Sequence, residues 1–184
     1  MKIIKLKSEL DIKMFIRTQT KTDNKAIFTV HEKAFGRQEE ANLVEEIRQT
    51  AEYINDLSLV AENGDGEIIG HALFSEIFLE NEEETRILLA LAPLAVVKDW
   101  QGMKIGSALM EEGIRLARQK GYPGIIVLGH ASYYPKFGFQ EAKNYGILPP
   151  FAVPSENFLA LELYPKSLDG FQGTIRYPSA FHNV

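Results

Sequence analysis

The chain reads as a single α/β (α+β) domain, a mixed central β-sheet flanked by helices. Three observations predict this. Arg86–Val97 is almost wholly apolar, as a strand covered on both faces must be. A short turn then leads into a helix over Gln101–Lys120, and a second apolar run, Gly124–Leu128, follows it. This is a strand–helix–strand unit, for which a right-handed crossover is expected. Finally, Asn63-Gly64-Asp65-Gly66 sits between two strand-like runs, and both dipeptides accept the positive φ of primed hairpin turns. At 184 residues the chain can bury a substantial core. We assign residues 1–184 to one domain, with 1–11 as an N-terminal extension and 165–184 as a C-terminal tail packed on it.

Composition narrows the function. Hydrophobic residues make up 45% and charged residues 24%, which are globular values. A net charge of -5 argues against a general nucleic-acid binder, which needs a basic face. With no cysteine, neither a disulfide nor a thiolate acyl carrier or metal ligand can form. The opening MKIIKLKSELDIK is broken by charges every few residues and lacks the apolar core of a secretory signal. No apolar run reaches spanning length, so the expectation is a cytoplasmic protein without a membrane partner.

The elements follow in order. Met1–Leu10 alternates apolar residues with lysines and can add an edge strand, a route to a homodimer. Met14–Thr20 reads as a strand. Thr22 or Asp23 can cap the next helix, in which Ala26, Ile27, Val30 and Ala34 share helical spacing. His31-Glu32 opens no H-E-x-x-H motif, because position 35 is Phe, and no metal is expected. A lone helical His31 and a strand His71 both read as packing residues. Glu39–Tyr53 is a second helix and Leu57–Glu62 a strand. After the hairpin turn, Glu67–Leu79 is the long return strand, and Asn81–Glu84 is an acidic turn. Pro93 cannot donate to a ladder, so the strand Arg86–Val97 carries a bulge or irregularity. Within the following helix Gly113 lies in the apolar stripe and costs about 1 kcal/mol of helix propensity, which close approach to the sheet would explain. Ser132 can cap a short helix that Gly138 ends. Asn157–Tyr164 alternates as a strand, and the tail GFQGTIRYP holds one more at most.

The stretch with chemistry in it is Leu94–Leu109, LAVVKDWQGMKIGSAL. A strand that turns into a helix N-terminus offers free N–H groups and a favourable dipole to a phosphate. It is neither a P-loop, which requires G-K-[ST] after the second glycine, nor the dinucleotide G-x-G-x-x-G. Gln101-Gly102-Met103-Lys104-Ile105-Gly106 instead resembles the Q/R-x-x-G-x-G/A signature of the GCN5-related N-acetyltransferases (GNAT). Lys104 stands where that pattern has glycine. Tyr134-Pro135-Lys136-Phe137-Gly138-Phe139 resembles the family's Y-x-x-x-G-F segment, and the element order over Met14–Tyr164 matches its layout. The final segment looks like a branch of predicted bacterial acetyltransferases with mostly unknown acceptors.

The resemblance implies a GNAT fold with a V-shaped splay between the family's strands 4 and 5. It implies transfer of an acetyl group from acetyl-CoA to an amine, with direct attack in a ternary complex. The backbone of Leu94, Ala95 and Val96 would pair with the pantetheine arm. The N–H groups of Gln101, Gly102, Met103, Lys104, Ile105, Gly106 and Ser107 would hold the pyrophosphate. The Lys104 side chain either points to solvent and pairs with a phosphate or crowds the approach. Tyr134 is the candidate general acid, and Tyr133 is expected to point elsewhere. His130 and Glu76 are the two candidates for the base that takes the ammonium proton. The acceptor, a small molecule or a protein amine, is not legible. Two other readings use the same fold, a non-catalytic acyl-CoA-binding regulatory module and a protein-interaction domain.

Overall fold

The computed structural model describes residues 2–5 and 13–183. Its described residues form a ten-stranded sheet flanked by three α-helices. The strands are β1 (Lys2–Lys5), β2 (Lys13–Thr18), β3 (Tyr53–Asn63), β4 (Ile68–Glu80) and β5 (Thr85–Val96), then β6 (Gly124–Leu128), β7 (Gln140–Glu141), β8 (Ile147–Leu148), β9 (Phe158–Glu162) and β10 (Gly173–Arg176). They lie in the order β1-β2-β3-β4-β5-β6-β9-β7. The helices are α1 (Asn24–Phe35), α2 (Glu39–Ile47) and α3 (Ile105–Gln119). The edge strand expected near the N-terminus is β1, paired antiparallel with β2; residues 6–12 lie outside the described residues.

Hairpins build the first half of the sheet. The Asn63 carboxamide accepts from the N–H groups of Asp65 and Glu67, and Gly66 takes φ +84°, which closes the β3–β4 turn. Asn81 closes the β4–β5 turn in the same way, accepting from Glu83 and Glu84. Between the pairs Ala72↔Leu94 and Phe74↔Leu91, two residues, Ala92 and Pro93, oppose Leu73 alone. The irregularity expected at Pro93 is therefore a bulge on β5.

The sheet then changes character. β5 runs parallel to β6, but only Leu89↔Ile125 and Ala90↔Ile126 pair. Past them β6 stays with β9 as far as Leu128↔Phe158, while β5 continues along β4 to Val96. The two strands part, as the splay expected from the resemblance requires. The tail does more than pack: β10 pairs with the far end of β4 at Phe78, Leu79 and Glu80. β10 occupies the β4 edge that β3 vacates after Tyr53↔Ser75.

α3 covers one face, where Phe74, Leu89, Leu109 and Ile125 are buried together. α1 and α2 cover the other through Ile27, Leu43, Val44 and Ile47. A Cβ placed on Gly113 would sit 2.1 Å from Phe74 Cε2, so the helix seats on a fully buried ring. Close approach does explain this glycine. Two expected boundaries shift. α2 ends at Ile47 rather than Tyr53, because Thr50 turns back onto the Ile47 carbonyl and Tyr53 is captured by β4. α3 begins at Ile105 rather than Gln101, because Gly102 and Lys104 adopt left-handed backbone. Asp23 does stand at the N-cap of α1, but its carboxylate turns back to Thr20 and Arg17.

A polar chain crosses the core under α1. His31 Nε2 lies 2.8 Å from His71 Nδ1, and His71 Nε2 lies 2.9 Å from Ser58 Oγ. Ser58 donates to Gln19, which also accepts from Arg48. Both histidines are fully buried, so both are packing residues as expected. Burial pushes His31 down to about 3 and His71 well below its ordinary value, and the Arg48 charge adds to both shifts.

Two predictions follow from this packing. Gly113→Ala gains helix propensity of about 1 kcal/mol but overpacks Phe74, so a net loss of about 1–2 kcal/mol is expected in urea unfolding. Both histidines stay neutral in the fold, whereas the unfolded chain protonates them below about pH 6.5. Stability is therefore expected to fall as pH drops from about 6.5, by up to about 1.4 kcal/mol per pH unit for each ring. His31→Gln should remove one ring's share of that slope; an unchanged slope would mean that His31 is protonated in the folded protein.

Candidate active site

The first component is the turn between β5 and α3. A 3-10 turn, Lys98–Trp100, reverses the chain, and the Gln101 side chain donates to the Val96 carbonyl at 2.9 Å, bracing the loop. Gly102 takes φ +79° and Lys104 φ +61°. Lys104 is the N-cap of α3, and its carbonyl accepts from Ala108 at 3.0 Å. The left-handed conformation is the reason a glycine suits this position, and a single lysine adopts it at a cost of about 1–2 kcal/mol. Lys104 is exposed. No side chain caps α3, and its first turn holds no acidic residue. The N–H groups of Ile105, Gly106 and Ser107 thus form the positive end of a helix dipole.

Gly106 faces Val96 and Leu94, and a Cβ there would lie 2.9 Å from the Tyr133 hydroxyl. That hydroxyl also shares a hydrogen bond with Ser107. Tyr133 therefore points at the helix N-terminus, with the Lys136 ammonium 3.9 Å from its ring centre. Tyr134, its neighbour, points the other way. The short helix Tyr134–Phe137 starts from Tyr133 as N-cap rather than Ser132, and Gly138 ends it at φ +95°. Tyr134 packs edge-on against Tyr133 at 5.1 Å and Phe139 at 5.6 Å, with its ring against Gly129. Burial, and secondarily Tyr133, push its phenol up to about 12. Its hydroxyl has no hydrogen-bond partner among the described residues.

The second component is the gap itself. On the β4 side Leu94, Ala95 and Val96 pair with Ala72, His71 and Gly70; on the β6 side they carry no ladder bonds. The gap opens into a cavity of about 970 Å³ on the face covered by α1 and α2. Leu94, His130 and Tyr134 all line it. His130, exposed at the end of β6, is brought to Tyr134 as the chain order suggested. Glu76 is not: it lies on the α3 face of β4, accepts from the Tyr122 hydroxyl at 2.5 Å, and does not line the cavity. Alternation along β4 put Glu76 on the same side as Phe74 and away from Ile77, a distinction the sequence shows only once the register is known.

The sequence reading did not anticipate several lining residues: Arg37 and Glu40 at the start of α2, Phe151 in the proline-rich loop, and Tyr177 and Phe181 after β10. Glu40 is buried and accepts from Arg37, whose Nε lies 3.1 Å from both carboxylate oxygens. The one sequence signal for these residues is the aromatic spacing of the tail, which acquires meaning only when β10 joins β4. Among the described residues no cluster of His, Asp or Glu could hold a metal ion. No helix among them is long and apolar enough to cross a membrane.

Known proteins share this arrangement. Residues 55–141 match the family model described as an acetyltransferase (GNAT) domain. The chain is 37% identical over 138 residues to the uncharacterized N-acetyltransferase YjhQ of Escherichia coli K12, covering 74% of this chain and 76% of that protein. It is 27% identical over 169 residues to the uncharacterized N-acetyltransferase YhbS of the same strain, covering 92% and 99%. The crystal structure of E. coli YhbS in complex with CoA superposes with a TM-score of 0.86 at 25% identity, over 95% of this chain and 94% of that one. A GNAT family acetyltransferase from Brucella melitensis in complex with acetyl-CoA gives 0.74 at 31% identity, over 91% and 97%. With the splayed strands, the glycine turn and these relatives together, the chain belongs to the GCN5-related N-acetyltransferase (GNAT) family.

Proposed function

We propose that the chain transfers an acetyl group from acetyl-CoA to an amine by direct attack in a ternary complex, as one catalytic domain working in the cytoplasm. The observation that carries this reading is the position of Tyr134 and His130 beside the gap where β5 leaves β6. The CoA-bound and acetyl-CoA-bound relatives support the choice of donor.

In this reading the pantetheine arm completes the β5 edge at Leu94, Ala95 and Val96 as an added strand. The N–H groups from Gln101 to Ser107 hold the pyrophosphate, and Lys104 reaches it from solvent as a point charge. The thioester carbonyl then faces the cavity, where the amine approaches from the α1 and α2 side. The amine nitrogen bonds to the carbonyl carbon while a backbone N–H of β5 receives the developing oxyanion. Collapse breaks the carbon–sulfur bond, and Tyr134 gives its proton to the departing sulfur. The neutral phenol suits that role because burial keeps it protonated at any physiological pH. The ammonium proton leaves through His130, directly or by water. The absence of cysteine supports direct attack over a cysteine-linked acyl-enzyme.

Tyr134→Phe is expected to lower kcat by about 100-fold with little change in acetyl-CoA affinity, read by thiol release and calorimetry. Unchanged turnover would remove Tyr134 as the acid. With a phenol at about 12, kcat should not decline between about pH 8 and 10 through loss of that acid. At the other end of the site, Gly106→Glu should abolish CoA binding in a folded protein by placing a carboxylate in the phosphate seat. Lys104→Gly should keep the fold and weaken acetyl-CoA binding about 3- to 10-fold at low salt, with a smaller effect at high salt. Equal affinity at every salt concentration would exclude a phosphate contact. Binding of acetyl-CoA without transfer to any amine would favour the regulatory reading over the enzymatic one.

A further inference from the structure

We infer that the acceptor is a small primary amine carried on an aromatic or bulky apolar body, with one positive charge and no anionic group. The inference rests on the acetyl-transfer reading above and specifies the substrate of that same site.

The cavity and the phosphate seat lie on opposite faces of the sheet. Gly106 and the α3 N-terminus belong to the face whose core includes Phe74 and Leu109. The cavity is walled instead by Leu43 of α2, by Ala90 and Ile126 where the splay begins, and by Ile175 of β10. A donor threading the gap from the α3 side therefore presents its carbonyl to this chamber, and the chamber is where the acceptor waits. Its charged side chains are few and paired within the protein. Arg37 is spent on Glu40, and Arg176 on Glu80 at 2.8 Å with its guanidinium 4.3 Å from the Phe78 ring centre. Among the described residues Glu40 is the only carboxylate in the lining, so a polyamine or a lysine-rich peptide meets no second acid there for its further charges.

What the chamber does offer is rings. Phe151 stacks on Tyr177 with centres 6.3 Å apart, and Tyr177 meets Phe181 at 5.0 Å. Phe35 stands across from them at the end of α1. Such a wall takes an aromatic body by stacking and holds a single ammonium by its π-faces. Apolar surroundings also disfavour the charged form of the amine, which raises the share of the neutral nucleophile that attack requires. Three separate segments close the chamber: the α1–α2 junction, the Pro150-Phe151 loop and the tail after β10. A cavity of about 970 Å³ has the size of a small-molecule site.

The test uses the full chain with acetyl-CoA, following thiol release with 2-phenylethylamine, tryptamine, spermidine, L-lysine and a peptide with an N-terminal alanine. The expected result is a kcat/KM for the two arylalkylamines at least about 10-fold above the other three. Phe151→Ala, at a half-exposed position, should raise KM for 2-phenylethylamine while leaving the acetyl-CoA Kd by calorimetry unchanged. Tyr177→Ala should do the same and Tyr177→Phe should restore it. A preference for spermidine, lysine or the peptide overturns the inference and leaves the acetyl-transfer reading standing. Acetyl-CoA binding with no turnover of either arylalkylamine also overturns it. Failure to bind acetyl-CoA at all is a failure of the acetyl-transfer reading, and this inference falls with it.

Discussion

The structure depends on one broken pairing. β5 and β6 share two residue pairs, Leu89↔Ile125 and Ala90↔Ile126, and then separate. A parallel pair inside a sheet would ordinarily continue, because unpaired backbone N–H and C=O groups are costly. Here each strand keeps its partner on the other side, β4 for β5 and β9 for β6, so the break leaves only the facing edges open. The bulge at Ala92-Pro93 falls within the part of β5 that has left β6, and both residues line the cavity. A proline is at home there, since it removes a donor where no ladder bond is made. The gap exposes strand edge and joins the α3 face to the α1 and α2 face.

The two tyrosines after β6 divide the work of that gap. Tyr133 faces the α3 N-terminus, against Gly106 and Ser107, and Tyr134 faces the cavity. Adjacent residues at the start of a short 3-10 helix must diverge, and their edge-to-face contact at 5.1 Å fixes the divergence. A hydroxyl at the α3 N-terminus and a ring lining the cavity therefore come from consecutive positions. Gly138, in left-handed backbone, ends this turn and returns the chain to the sheet as β7.

On the other side of the sheet, the cavity wall depends on where α1 sits. The His31–His71–Ser58–Gln19 chain ties α1 to β4 and β3 through buried polar contacts. Phe35 lies one turn beyond His31, its ring parallel to the imidazole within 3°. A buried hydrogen-bonded chain specifies one seating of the helix where an apolar patch would tolerate several. Phe35, which lines the cavity, is thus placed by a helix that buried histidines hold against the sheet.

Much of the fold was legible in the sequence because local rules dominate there. Hairpin turns need Asn-Gly chemistry, buried strands need apolar runs, and Gly113 in an apolar stripe signals a close neighbour. The glycine turn leading into α3 was legible because glycine spacing is a backbone requirement. Its start was misread by four residues, since positive φ at Lys104 contradicts what a lysine ordinarily does. Tyr134 and His130, which line the cavity, were legible as residues next to a strand end, Tyr134 through the resemblance of its segment to the family's. Glu76 was misplaced because one register step decides which face a strand residue takes. By itself, then, the sequence determined the elements, their order and the phosphate-type turn, all set by neighbours a few residues apart, while the splay was implied by the family resemblance. Only the tertiary structure decided the cavity. Its walls come from positions as far apart as Phe35 and Phe181, and no local pattern records which distant side chains will meet once β10 closes on β4.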